Sequence, residues 1–164
     1  MEKYLYFGVL LFALSYPLAQ SFESRIRYAT KWSKLFPGML GTALFFIVWD
    51  IWFTKIGVWE FNPAYISGLF IGNLPIEEVL FFFIITFSCV FIYEVLIYFL
   101  PKDYFQPLAK PLVWILVPFL FVMGLIHLDK WYTSVNFLVG AVTLFAHYVY
   151  FKDRYLGRFI FAYI

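Results

Sequence analysis

The sequence predicts an all-α, polytopic membrane helix bundle with five complete transmembrane helices and the start of a sixth. Three observations lead to this prediction. Of the 164 residues, 64% are hydrophobic and 13% are charged, whereas a soluble domain carries about 25% charged residues. The apolar residues form runs long enough to cross a bilayer. The basic residues between these runs fall mostly on one side. Most of the chain is therefore expected to lie in lipid.

Each predicted span is a run of about 20 mainly apolar residues, the length that crosses the hydrocarbon core of a bilayer. Five runs meet this requirement, at residues 4–22, 37–54, 75–100, 111–128 and 132–151. A sixth run opens near Leu156 and reaches only Ile164. Since so short a run cannot cross a bilayer, we expect the protein to be longer than this chain.

The order of spans and loops predicts part of a two-unit repeat. The first and fifth spans run in the same direction, and each leads into a basic loop followed by a glycine-bearing apolar run. Two copies in the same orientation need an extra connector helix between them. The predicted organisation is a first three-helix unit at residues 1–100, a connector with the fourth helix at 101–131 and the start of a second unit at 132–164. A proline-rich segment at 101–111 marks the boundary.

Basic residues predict how the protein is oriented, because short cytoplasmic loops are enriched in Lys and Arg. With the amino terminus outside, nine basic residues fall inside and three outside. We therefore expect an integral protein of the cytoplasmic membrane with a non-cytoplasmic amino terminus. The inside set is Arg25, Arg27, Lys31, Lys34, Lys102, Lys110, Lys152, Arg154 and Arg158, and the outside set is Lys3, Lys55 and Lys130.

Composition and motifs also exclude several classes of function. The net charge of +2 is too small for a nucleic-acid-binding protein. The single cysteine, Cys89, excludes an intramolecular disulfide and is expected to be a small packing residue. The sequence contains no dinucleotide or phosphate fingerprint and no paired Cys or His motif. We therefore expect no cofactor and no metal site.

The few acidic residues in or beside the spans are the candidate functional residues. Asp50 lies near the end of the second predicted span, Glu77 and Glu78 lie at the start of the third, and Glu94 lies toward the opposite end of that third span. An ionised acid in mid-bilayer costs about 2.5 to 3.5 kcal/mol. Asp50 could instead reach the headgroups, and the start of a helix suits acids such as Glu77 and Glu78. The functional interpretation is acid–base chemistry on a hydrophobic molecule, or ion movement.

Residues 72–82 read Gly-Asn-Leu-Pro-Ile-Glu-Glu-Val-Leu-Phe-Phe. This stretch resembles the Pro-x-Glu-Glu/Asp signature of the membrane-integral lycopene β-cyclases, with Pro75 as its first residue. Asp50 in the preceding span and Gly-Val-Trp-Glu-Phe at residues 57–61 fit the same family. Residues 155–160, beginning at Tyr155, resemble the opening of the family's second unit. Fused members carry a second motif there, so the chain by itself is expected to be an incomplete enzyme.

The resemblance implies a non-redox enzyme of the intramolecular lyase or isomerase type in carotenoid biosynthesis. Lycopene is a hydrocarbon, and its ψ ends close to β-ionone rings when a terminal double bond is protonated. The resemblance assigns the catalytic acids to Glu77, Glu78 and Asp50. Burial and a neighbouring carboxylate would keep one acid protonated. One acid then donates the first proton, and another accepts the last.

Aromatic faces can stabilise a carbocation and exclude water. The candidate substrate-binding residues are therefore four aromatics close to the acids in sequence, namely Trp49, Trp52, Phe81 and Phe82. The expected partners are a lipid-soluble carotenoid, membrane lipid and either a second homologous unit or another copy of the chain. Two alternatives remain: a half-transporter or proton-conducting protein, which needs a polar stripe through the whole bilayer, and a non-catalytic carotenoid-binding membrane subunit.

Overall fold

A computed structural model describes residues 2–152 and 156–161, so Arg154, Tyr155 and Ile164 of the predictions above lie outside the described residues. The described ranges form six α-helices: α1 (Leu5–Gln20), α2 (Trp32–Lys55), α3 (Ile76–Phe99), α4 (Gln106–Ile126), α5 (Trp131–Phe151) and α6 (Leu156–Phe161). A two-stranded antiparallel hairpin, β1 (Phe70–Ile71) and β2 (Leu74–Pro75), precedes α3.

Within the described residues, four helical segments are long and apolar enough to cross a membrane: Tyr28–Lys55, Ile76–Phe99, Gln106–Ile126 and Trp131–Phe151. These segments confirm the prediction of a helical membrane protein. Helix α1 has 16 residues, which corresponds to about 24 Å at 1.5 Å per residue. The hydrocarbon core of a bilayer is about 30 Å thick, so the count of five spans stays a prediction.

Two helices begin before the apolar runs that the sequence predicts as spans. Helix α2 begins at Trp32 and contains Pro37, and α4 begins at Gln106 and contains Pro111. The predicted runs open at these two prolines, and proline has no backbone N–H to continue a helix. The backbone N–H groups in the first turn of a helix have no acceptor within the helix, so a proline such as Pro107 fits at the start of α4. Membrane helices also tolerate interior prolines such as Pro37 and Pro111.

The chain divides into two compact units, and the first is Met1–Phe99. Helix α3 runs parallel to α1, where the Ser88 hydroxyl donates to the Ala13 carbonyl at 3.0 Å. It runs antiparallel to α2, and the rings of Phe46 and Phe82 stack with their centroids 6.1 Å apart. The starts of α1 and α3 therefore meet the end of α2. We name this the acidic end of the first unit, and the opposite end, which carries Lys31, the basic end.

The core of the first unit lies toward its basic end. Tyr28 is fully buried there with Met39, Phe87 and Phe91. Its hydroxyl donates to the Phe87 carbonyl at 2.9 Å, so the one polar group of this side chain is satisfied. Burial of this aromatic cluster stabilises the region where the loop after α1 meets α3.

Cys89 is exposed, so the prediction that it is a packing residue is wrong. The preceding residues, Phe87 and Ser88, are both buried. Because successive helix residues point about 100° apart, Cys89 is turned away from the face of α3 that contacts the other helices. A run of apolar residues does not by itself distinguish the packed face from the exposed one.

The second unit is Leu100–Ile164. Helices α4 and α5 are antiparallel and approach closely at Gly124, where a Cβ atom would lie 2.7 Å from the Leu138 Cγ. The Ser134 hydroxyl donates to the Gly124 carbonyl at 2.9 Å. In the short helix α6, Leu156 is fully buried, and the Arg158 guanidinium donates to the carbonyls of Leu100 and Pro101. Small residues and satisfied backbone groups thus hold this unit together.

Candidate active site

Three ionisable side chains from three helices converge at the acidic end of the first unit. The hydroxyl of Tyr6, in the first turns of α1, donates to Oε2 of Glu78 at 2.6 Å. Asp50, near the end of α2, lies close enough to Glu78 and Tyr6 for their charges to interact. Two of the three predicted catalytic acids, Asp50 and Glu78, are therefore brought together by the fold, and the Tyr6 hydroxyl joins them.

Asp50 is the most enclosed member of this group, with 3% of its surface exposed. It interacts with the indole of Trp59, which comes from the loop after α2. Its second oxygen, Oδ2, is buried and has no hydrogen-bond partner among the described residues. A buried carboxylate oxygen with no partner is costly, so this position favours a bound group that can donate a proton to Asp50.

Glu77 is fully buried but points to a different neighbour. Its Oε1 accepts a hydrogen bond from the backbone N–H of Ser67 at 2.7 Å. Its Oε2 is buried and has no hydrogen-bond partner within the described part of the chain. Since successive residues of a helix diverge by about 100°, Glu78 reaches Tyr6 while Glu77 reaches the loop. The two glutamates of the motif thus occupy different surroundings.

The start of α3 is set by the hairpin that precedes it. Gly72 has a φ of 65°, a left-handed conformation that suits glycine in a tight turn. Next to it, the Asn73 amide donates to the Ile51 carbonyl at 3.0 Å, which ties the turn to α2. Pro75 is buried in β2 opposite Phe70. Helix α3 begins immediately afterwards, so Pro75 fixes where the two glutamates enter the site.

The predicted substrate-binding aromatics divide into two places. Phe82 stacks on Phe46, and Trp49 contacts the same Phe46 with ring centroids 6.3 Å apart. Trp49, Phe46 and Phe82 thus form one aromatic group between α2 and α3. Trp52 is exposed on α2 and lines, together with Trp49, an open apolar groove of about 560 Å³. Phe81 is half-buried and contacts Phe82 edge to face.

An apolar cavity of about 280 Å³ lies between α1, α2 and α3 on the way to the basic end. Its α3 residues, Phe83 to Phe87, follow Glu78 by about 8 to 14 Å at 1.5 Å per residue. Only carbon surface lines it apart from the indole of Trp32. The remaining lining residues are Leu14, Leu18, Phe36 and Met39. From the acidic end toward the basic end, the order is therefore the acids, then the aromatic group, then this cavity.

In residues 2–152 and 156–161, no cluster of three or more His, Cys, Asp or Glu side chains is placed to hold a metal ion.

Glu94, the remaining acid of α3, forms an ion pair with Lys31 at the basic end. It therefore lies apart from the acidic site, as its position in the sequence predicts.

Two polar contacts of the site were missed by sequence reasoning. Tyr6 is one of 13 tyrosines, and its neighbours in α1 are apolar, so no local pattern distinguishes it. Ser67 acts through its backbone N–H, which every residue other than proline possesses. Tyr6 could have been found only by noting that the first turns of two parallel helices meet at the same depth.

Fold and site together define a helical membrane protein in which a tyrosine and two acids, Tyr6, Asp50 and Glu78, converge from the ends of three helices. The family model described as lycopene cyclase matches residues 3–96 and 129–164. The chain belongs to this family. No curated protein and no solved structure matches the chain.

Proposed function

We propose that this protein is a lycopene cyclase that converts the ψ ends of lycopene into β-ionone rings without a change of redox state. The observation that carries the proposal is the convergence of Tyr6, Asp50 and Glu78 next to an aromatic group. Family membership supports the choice of substrate. A hydrocarbon offers only its double bonds for recognition and reaction, and acids among apolar residues suit that chemistry.

Glu78 is the proposed general acid. Two carboxyl groups close together in apolar surroundings cannot both be ionised at low cost, so the pair formed with Asp50 holds a proton between them. The Tyr6 hydroxyl donates to Oε2 of Glu78, which leaves Oε1 to carry the transferable proton. Transfer of that proton to the terminal double bond of the ψ end produces a tertiary carbocation, and the Tyr6 hydrogen bond stabilises the carboxylate that remains.

Asp50 is the proposed general base. The neighbouring double bond attacks the cation and closes the six-membered ring, which moves the positive charge onto a ring carbon. Loss of a ring proton to the unpartnered Oδ2 of Asp50 forms the ring double bond. One proton enters and one leaves, so no electron is transferred and no redox cofactor is needed. In catalytic class this is an intramolecular lyase or isomerase.

The aromatic group is proposed to surround the reacting end. Phe82 lies one turn after Glu78 on α3, Trp49 is adjacent to Asp50 on α2, and the two aromatic rings are joined through Phe46. Their faces can stabilise the cation. The rest of the polyene is proposed to extend toward the basic end through the apolar cavity lined by Phe83 and Phe87. Trp52 and Phe81 are assigned to the outer edges of the same binding region.

The membrane arrangement is proposed to include α1 as a fifth span, with the amino terminus on the non-cytoplasmic side of the cytoplasmic membrane. We assign residues 1–100 to a first unit, 101–131 to a connector and 132–164 to the start of a second unit. Two observations support this division. The first compact unit ends at Phe99, and the family match omits residues 97–128. A homologous unit or a second copy is the proposed protein partner.

Production of the chain in a lycopene-accumulating bacterium tests the function. We expect a red-to-yellow change of the cells and the appearance of monocyclic or bicyclic carotene in extracts separated by chromatography. The double variant Asp50→Asn/Glu78→Gln should leave lycopene unchanged while reaching the membrane in the same amount. Because the chain by itself is expected to be an incomplete enzyme, the decisive sample is the full-length protein. Unchanged lycopene in cells whose membranes contain that full-length version would contradict the proposal.

A further inference from the structure

Glu77 is the one acid of the motif that the proposed reaction does not use. It is fully buried, yet its carboxylate accepts a hydrogen bond from the Ser67 backbone N–H at 2.7 Å. Glu78, the next residue, is bound to Tyr6 instead. A buried carboxylate that serves a backbone donor in a loop is well suited to hold that loop in one position.

The loop in question is the covering segment, residues 56–75, which connects α2 to α3. It meets the acidic site at three points. Trp59 interacts with Asp50, the Tyr65 carbonyl accepts from the Tyr6 backbone N–H at 3.3 Å, and Ser67 donates to Glu77. Each of the three helices that supply an acid or the tyrosine is therefore contacted by this segment.

The covering segment has its own buried anchors on either side of Ser67. Ile66 is 4% exposed and Leu74 is fully buried. The Ile76 backbone N–H donates to the Leu69 carbonyl at 2.9 Å. Between these anchors, the hydrogen bond from Ser67 to Glu77 fixes the middle of the segment to the first turn of α3. Loss of that bond would loosen the segment two residues from Tyr65, whose carbonyl contacts the Tyr6 backbone.

We infer that Glu77 is a positioning residue that holds the covering segment over the Asp50–Glu78 pair and so keeps water from the carbocation. The inference rests on the proposed function. It assigns different roles to the two adjacent glutamates: Glu78 exchanges a proton with the substrate, while Glu77 needs only to accept a hydrogen bond. A carboxamide could therefore replace the carboxylate at position 77 but not at position 78.

Water is the competitor that gives this role a distinct chemical signature. If water reaches the tertiary cation before ring closure, its oxygen bonds to the cationic carbon and one of its protons passes to a carboxylate. The product is an acyclic tertiary alcohol, one water heavier than lycopene. A loosened covering segment should therefore change which product forms as well as how much.

Three variants, produced in lycopene-accumulating bacteria and matched for membrane content, test the inference. Glu77→Gln keeps an acceptor for the Ser67 N–H, so cyclisation should stay within about threefold of the unaltered chain. Glu77→Leu removes the acceptor, and we expect about a tenfold loss of cyclised product together with the acyclic alcohol. Glu60→Leu, at an exposed position of the same segment, is the matched control and should behave like the unaltered chain.

Two results would overturn the inference. The first is a Glu77→Gln variant as inactive as Glu78→Gln, which would make Glu77 a proton donor or acceptor. The second is a Glu77→Leu variant that loses cyclisation without any alcohol in its product mixture, which would leave no sign of water at the cation.

Hydrogen–deuterium exchange of the purified chain separates this inference from the proposed function, because it does not depend on turnover. Amides of residues 56–75 should exchange about tenfold faster in Glu77→Leu than in the unaltered chain, and Glu77→Gln should match the unaltered chain. Equal protection in all three would refute the positioning role even if the enzyme is active. Faster exchange in Glu77→Leu, combined with a full-length protein that leaves lycopene unchanged, would refute the proposed function alone.

Discussion

The two ends of the first unit both carry acidic side chains, but these acids bind different partners. At the basic end, Glu94 pairs with Lys31, and Glu23 pairs with Arg25 at 2.7 Å. At the acidic end, the partners are a tyrosine hydroxyl, an indole and a backbone N–H. Within the described ranges, none of the ion pairs involves Asp50, Glu77 or Glu78.

This difference matters because a cation favours the ionised form of a carboxylate, whereas neutral donors leave its protonation free to change. An acid fixed by a Lys or Arg contributes to structure and orientation. An acid held by a hydroxyl can release a proton and take one back. The environment, rather than the residue type, therefore distinguishes the candidate catalytic end from the structural end.

The largest expected effect is at Glu78. Glu78→Gln removes the proposed proton donor, and general acid catalysis contributes about a hundredfold or more to a rate. Cyclised carotene, measured by chromatography at matched protein level, should fall by at least about that factor. Glu94→Gln makes the same change on the same helix at the basic end and should retain activity. Equal activity of the two variants would break the distinction between the ends.

Asp50→Asn should have the next largest effect. The amide has nearly the same shape but cannot accept the ring proton, so we expect cyclisation to fall by about tenfold to a hundredfold. The same chromatographic assay measures this loss. If Asp50→Asn kept full activity while Glu78→Gln lost it, the role of base would have to belong to another group.

Tyr6→Phe should have a smaller effect. It removes the hydroxyl that donates to Glu78 at 2.6 Å, and a hydrogen bond to a charged group corresponds to about a tenfold change in rate. Tyr4→Phe is the matched control, because Tyr4 lies two residues before Tyr6 and is 61% exposed. Identical rates for both variants would remove Tyr6 from the site.

The smallest effect is expected at the basic end. Lys31→Gln breaks the pair with Glu94, in which the lysine side chain is 48% exposed. Exposed pairs contribute at most about 1 kcal/mol, so the free energy of unfolding in detergent should fall by no more than that, and cyclisation should be unchanged. Lys34→Gln, a neighbouring exposed position, is the control. A large loss of cyclisation in Lys31→Gln would extend the functional site beyond the acidic end.

The depth of the acids could be predicted from the sequence because depth depends only on position along a span. Asp50 ends one apolar run and Glu78 begins the next, so they had to lie at the same end of two antiparallel helices. The helix starts at Trp32 and Gln106 could not be predicted from the position of the apolar runs, because both helices begin before the run does. Prolines at the start of a membrane helix do not oblige it to begin there.

Only the tertiary structure shows the direction in which each side chain points around its helix. Tyr6 reaches Glu78 because α1 and α3 run parallel with their first turns together. Cys89 is exposed while its neighbours Phe87 and Ser88 are buried. In an apolar sequence, nearly every face of a helix is hydrophobic, so the pattern that distinguishes inside from outside in soluble proteins is weak.

The sequence by itself determined that this chain is a membrane protein, that Asp50, Glu77 and Glu78 lie at one end of their spans and that its motif resembles that of the lycopene cyclases. Composition, span length and a local motif carry that information without any long-range contact. Only the tertiary structure separated Glu77 from Glu78, because their roles depend on which neighbours their side chains meet. Ser67 lies in the loop ten residues before Glu77, and Tyr6 lies on another helix, 72 residues before Glu78. Only the folded chain brings these residues into contact with the two glutamates.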